Sequence, residues 1–243
     1  MNASTKLHAR YVPSAPLLGL RIDFAQDHVF DQLVEGFSMR EALVDADRAV
    51  IETTWNADRI GLDVRQFTGQ GRLSRLCILR GTSFDGAFES LSVLGLPEPS
   101  LYAPVLFMEA IAIDNTWESV LLDLCQSVDC HPELASLAVE LRDSGDDLEH
   151  GLGRFQSRSL IAVSGVVPED FNVDHAISRY LDAFVATLHG ACAQPSRDEA
   201  RAVRRDFLVH MNEAWARDNG FVSLFGDAAL EFVPQAMFDP TIV

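Results

Sequence analysis

Between Leu73 and Leu124 the chain consists of short apolar or alternating runs separated by turn residues: Leu73 to Leu79, Phe84 to Val93, Ala103 to Ile113 and Trp117 to Leu124. Runs of this length, rich in Leu, Val, Ile and Phe and bounded by Gly, Pro, Asp and Ser, are strands. Their short links make neighbouring strands antiparallel. A sheet in the middle of the sequence constrains everything placed before and after it.

What flanks the sheet has helical spacing. From Asp27 to Ile51 the apolar residues Val29, Phe30, Leu33, Val34, Phe37, Leu43, Ala46 and Val50 predict one helix broken near Gly36 and Ser38, or two short ones. His131 to Arg142 reads as a helix, Asp143 to Gly153 as an exposed loop, and Ser159 to Val163 as a further strand. Phe171, Ile177, Tyr180, Leu181, Phe184 and Leu188 form one helical stripe, and Ala200, Val203, Phe207, Met211 and Trp215 form another. Ser196 followed by Glu199 is a capping box opening the latter. Helices on both sides of a central sheet give an α/β fold, a three-layer α/β/α sandwich with a mostly antiparallel sheet. At 243 residues and 48% hydrophobic, the expectation is one domain spanning 1–243.

Composition removes several classes of function. A formal net charge of -17 argues against nucleic acid and anionic membranes as partners, since both need basic surfaces that displace counterions. No run approaches the roughly 18 to 20 apolar residues that span a bilayer, and Lys6, His8, Arg10 and two prolines interrupt the first twenty residues. Cys77, Cys125, Cys130 and Cys192 show no metal-ligand or CxxC spacing, which predicts free thiols in a reducing cytoplasm. No GxGxxG follows a strand, there is no Walker A, HExxH or GxSxG motif, and Gly69-Gln70-Gly71 reads as a turn. The seven histidines lack ligand spacing; His175 and His189, fourteen residues apart on one helix, sit about 21 Å from each other.

One residue stands out within the sheet. Glu109 interrupts the apolar run Val105-Leu106-Phe107-Met108-Glu109-Ala110-Ile111. By alternation it shares a face with Val105 and Phe107, while Leu106, Met108 and Ala110 point the other way. If helices cover both faces the acid is enclosed, its pKa rises by desolvation, and it becomes a proton donor near neutral pH. The alternative is an ion pair with an arginine such as Arg80 on a neighbouring strand, or a solvated edge position.

Pro104 followed five residues later by Glu109, then a short turn and a strand ending in Leu122-Asp123-Leu124, resembles the core of the ferredoxin-dependent bilin reductases and their relative, red chlorophyll catabolite reductase. The resemblance extends over the strand Leu79 to Leu94, the strand entry Phe155-Gln156-Ser157 and the helix Val173 to Leu188. It ends with Leu224-Phe225-Gly226 and Met237-Phe238-Asp239, and so covers about three quarters of the chain by order and spacing of its motifs.

That resemblance implies a reduction of a linear tetrapyrrole seated between the sheet and the C-terminal helices, with no cofactor or metal bound in the protein. Reduced ferredoxin delivers single electrons, and protein acids protonate the radical intermediates. Glu109 falls on the family's proton-donating acid, which is aspartate in bilin reductases and glutamate in the chlorophyll catabolite enzyme. Ser92 falls where phycocyanobilin-forming members keep a catalytic histidine. A second acid falls on Asp218, with Asn212 and Asp206 as neighbours able to substitute; read locally, Asp218-Asn219-Gly220 is a helix C-terminal turn.

Arg154 and Arg158, with Ser157 and Ser159, are candidates for gripping propionate groups, because a guanidinium holds a carboxylate bidentately. Ser119 and Asn212 complete the substrate-binding set. The family's usual arginine falls near Val163 or Ser164 and is absent here. Ferredoxins are acidic, so docking on this acidic chain calls for a local basic cluster such as Arg201, Arg204 and Arg205. The other class of function is a non-catalytic tetrapyrrole carrier, or the same fold turned to another aromatic substrate.

Overall fold

A computed structural model describes residues 21–42, 50–55, 58–83, 85–125, 134, 136, 138–139, 152–164, 167, 171–193, 196–217 and 233–242. The chain enters on helix α1 (Arg21–Val29), which runs on as a π-helix over Phe30–Glu35. Eight strands follow in order: β1 (Arg40–Glu41), β2 (Val50–Trp55), β3 (Asp58–Thr68), β4 (Leu73–Ser83), β5 (Phe88–Pro97), β6 (Val105–Ile113), β7 (Thr116–Cys125) and β8 (Ile161–Ser164). Two long helices close the described architecture, α2 (Val173–Gly190) and α3 (Arg197–Arg217), followed by a helical stretch over residues 233–238.

All strands join one antiparallel sheet in the order β1-β3-β4-β5-β6-β7-β8, with β2 also paired to β3. The β6–β7 hairpin turns through Asp114 and Asn115, both at positive φ (48° and 60°), the backbone a two-residue loop demands and that Asp and Asn tolerate best. Buried side chains separate by face. Leu106, Met108, Ala110, Val120, Leu122 and Leu124 pack with α1 and α2, whereas Val105, Phe107, Leu94, Cys77 and Cys125 pack with Phe207, Met211, Trp215 and Phe238. The three-layer α/β/α sandwich is therefore the observed architecture.

Strand boundaries, and the stretch before the sheet, differ in part from the sequence reading. The helix begun before Asp27 ends at Glu35, at the break expected near Gly36 and Ser38; residues 43–49 of the second stretch lie outside the described residues, and Val50 and Ile51 lie on β2 rather than on a helix. Ser38 breaks the helical path at a positive φ of 50°, and the β-branched Val50-Ile51-Glu52-Thr53-Thr54 pairs with β3. β5 begins at Phe88 and continues to Pro97, and β6 begins at Val105. Half of the expected capping box is present, Ser196 Oγ accepting from the Glu199 amide at 3.2 Å. Leu134, Ser136, Ala138 and Val139 are helical, as expected for that stretch.

On α3 the buried stripe is Ala200, Arg204, Phe207, Leu208, Met211 and Trp215, and Val203 faces solvent. A charged residue thus takes the inward place expected for Val203. Arg204 donates to the carbonyls of Pro97 (2.7 Å) and Leu101 (3.1 Å), tying α3 to the β5–β6 connection. Burial lowers its pKa to about 10. The segment 233–238 is fixed by three donors converging on the Ala236 carbonyl: Arg75 (2.8 Å), Gln66 (2.8 Å) and the Cys77 thiol (3.5 Å).

Candidate functional site

The face of the sheet beneath α3 is not covered evenly. Every residue of β5 is buried, but on β6, β7 and β8 the residues Glu109, Ile111, Ile113, Ser119, Leu121 and Ala162 are only half-buried. They are neighbours on one face, because the register aligns Leu79, Ser92, Glu109, Leu121 and Ala162 as a row across five strands. The next row places Ile111 between Ser90 and Ser119. This half-open apolar stripe, with one acid and several hydroxyls, is the candidate site.

Glu109 shares its face with Phe107 and Val105, as alternation requires, but it is half-buried rather than enclosed. On β6 the acid stands between Phe107, buried in the cluster that includes Phe207 and Phe238, and Ile111, which packs against that cluster while half-buried. Arg80 is not its partner. Arg80 lies on the opposite face, where it pairs with Asp23 at 2.7 Å and with Gln26 at 2.8 Å on α1. Ser92 is directly across from Glu109 and is 4% exposed, and its hydroxyl makes no hydrogen bond among the described residues. Ser119 is half-buried on β7 and Asn212 half-buried on α3. Asp218 lies outside the described residues.

The remaining candidates are divided by their contacts. Arg154 sits in a 3-10 turn (Gly153–Phe155), lies over the Phe155 ring at 4.9 Å, and is ion-paired to Asp206 of α3. Asp206, named above as a neighbour of the second acid, is thus engaged on the exposed side of α3. Ser157 is 8% exposed, and its hydroxyl and amide both donate to Asp123, the amide at 2.8 Å. Its hydroxyl is committed to that carboxylate rather than presented to the stripe. Arg158 is exposed, with no hydrogen bond or ion pair among the described residues. Of the basic cluster, Arg205 is exposed and Arg201 half-buried, but Arg204 is spent on two buried carbonyls and offers no docking charge.

Asp123 is the residue that sequence reasoning passed over. It is fully buried on β7, opposite Phe107 and two residues from Leu121, hence on Glu109's face. Its carboxylate accepts from Ser157 twice and from the Cys125 thiol at 3.5 Å. Ser157 and Ser159 hydroxyls lie 2.9 Å apart, and the Tyr180 hydroxyl of α2 donates to the Ser159 carbonyl. Burial pushes the Asp123 carboxyl above its ordinary value, outweighing the Ser157 hydrogen bonds that pull it down. The signal was legible, since a lone acid in Leu122-Asp123-Leu124 has the same form that marks Glu109.

No protein-family model matches this chain, and no curated protein matches it. Among solved structures it is similar to phytochromobilin synthase from tomato in complex with biliverdin, with a TM-score of 0.68 at 15% identity. The match covers 90% of this chain and 82% of that one. The two share a fold. At that identity side-chain roles do not transfer with the backbone, so the site's chemistry rests on Glu109, Ser92 and their surroundings. Among the described residues no helix is long and apolar enough to cross a membrane.

Proposed function

We propose that this protein reduces a linear tetrapyrrole of the biliverdin type, using electrons from reduced ferredoxin and a proton from Glu109. The observation that carries this reading is the half-buried Glu109 in an apolar stripe of a sheet face, directly opposite Ser92, in a fold shared with a protein solved with biliverdin bound. An extended conjugated ligand suits a wide apolar strip better than a deep pocket, and a single acid within it supplies a proton at a defined carbon.

The balance of the reaction is one carbon–carbon double bond, two electrons and two protons, giving a CH–CH unit. Electrons arrive one at a time from two reduced ferredoxins. Glu109 donates a proton to the substrate radical and is reprotonated from solvent; the second proton comes from Asp218 or from water. With serine rather than imidazole at position 92, the site has one fewer titrating group at neutral pH, which favours a single two-electron step over a four-electron sequence.

The test is anaerobic incubation with biliverdin followed by reduced ferredoxin, read by absorption. A tight complex whose spectrum shifts to shorter wavelength on reduction supports the proposal. A complex that stays unreduced while a control enzyme turns over leaves a carrier instead.

A further inference from the structure

The turn Ser157-Arg158-Ser159 has an alternating burial pattern: 8% exposed, exposed, 2% exposed. The two serines are pulled inward, so the arginine between them is presented outward. What pulls them inward is Asp123. Its carboxylate binds both the amide and the hydroxyl of Ser157, Ser159 follows through the Ser157 hydroxyl (amide to Oγ 3.1 Å, Oγ to Oγ 2.9 Å), and Tyr180 fixes the Ser159 carbonyl from the other side. Arg158 therefore stands on a backbone held at both flanks, three residues before β8 and the half-buried Ala162 of the candidate site.

We propose that Asp123 is a positioning residue for substrate binding: it seats the 157–159 turn so that Arg158 is held ready for a carboxylate of the ligand. This rests on the tetrapyrrole reading, whose substrates carry propionate arms. A fully buried carboxylate with three donors is costly to assemble for a surface turn alone, whereas a preorganised turn saves the loop ordering that binding otherwise incurs. Arg154 is already ion-paired with Asp206, whereas Arg158 has no such partner among the described residues.

The experiment compares the affinities of wild type, Asp123→Asn, Arg158→Ala and the double variant for biliverdin and for its dimethyl ester, by absorption titration. Asp123→Asn and Arg158→Ala are each expected to weaken biliverdin binding about tenfold or more, as for loss of a charge-assisted hydrogen bond. The ester is expected to bind all four proteins alike, and the double variant to be no weaker than either single one. Should Asp123→Asn fail to fold, Ser157→Ala removes the hydroxyl link and takes its place. Equal losses for acid and ester, or additive losses in the double variant, would overturn the positioning role and leave the tetrapyrrole reading intact. A wild type that binds neither compound overturns both.

Discussion

Ser92 and Glu109 stand directly opposite each other on β5 and β6, the one buried and the other half-open to the stripe. Side chains in such a pair have Cβ atoms about 4.5 to 5.5 Å apart, close enough for a hydroxyl to orient a carboxyl through one bridging water. Removing the hydroxyl leaves the acid in place but less well aimed. Ser92→Ala is expected to slow single-turnover reduction of biliverdin about tenfold, the worth of one hydrogen bond of roughly 1.4 kcal/mol. Stopped-flow absorption under anaerobic conditions measures it, and an unchanged rate would remove Ser92 from the site.

The buried carboxyl of Asp123 has a pKa raised by desolvation, so the folded protein holds its proton more tightly than the unfolded chain. That preference stabilises the fold fully below the unfolded value of about 3.9 and is lost as pH rises through the higher folded value. Asp123→Asn does not titrate and lacks this dependence. The stability advantage of wild type over Asp123→Asn is therefore expected to be largest at acid pH and to shrink as pH rises. Urea denaturation of both proteins from acid to neutral pH checks it, and a gap that widened with pH would contradict it.

Arg204 is a buried cation that donates to the carbonyls of Pro97 and Leu101, and its loss removes both bonds, although Pro97 keeps the Ser74 hydroxyl as a donor at 3.1 Å. Arg204→Ala is expected to destabilise the protein by about 2 to 4 kcal/mol, in the range for two lost charge-assisted hydrogen bonds together with lost packing. Arg205→Ala, one residue along and exposed, is expected to change stability by less than about 0.5 kcal/mol. Chemical denaturation of the two variants gives the comparison.

Thirty-six acidic against nineteen basic side chains leave a net charge of -17, and self-repulsion at that charge opposes compactness. Raising NaCl from about 0.1 to about 1 M shortens the screening length from about 10 to about 3 Å. The melting temperature is expected to rise by several degrees over that interval. A falling melting temperature would mean that attractive ion pairs such as Arg65–Glu41 and Arg197–Glu98 outweigh the repulsion.

The sheet from Leu73 onward was legible because each strand there alternates or runs apolar between clear turn residues, and both long helices were legible because their stripes are continuous. Strands β2 and β3 were not, since Asp58–Thr68 carries charges at Asp63 and Arg65 that blur its alternation, and a residual helical period carries Leu43, Ala46 and Val50 past the break at Ser38. Arg204 was misplaced because an arginine is read as surface unless its carbonyl partners, about a hundred residues away in sequence, are known. Glu109 was found by the mismatch of one acid in an apolar strand. Its degree of exposure was beyond periodicity, because that depends on what packs over the sheet face from elements distant in sequence.

The account turns on Glu109 as the proton donor, and Glu109→Gln keeps the shape of the side chain while removing its proton. The direct measurement is anaerobic single turnover of biliverdin with reduced ferredoxin, wild type beside Glu109→Gln, with binding titrated separately. The account predicts near-equal binding, a substrate radical that accumulates in the variant, and product formation slowed by about a hundredfold or more, as for loss of a general acid. Product formed by Glu109→Gln at the wild-type rate would contradict it.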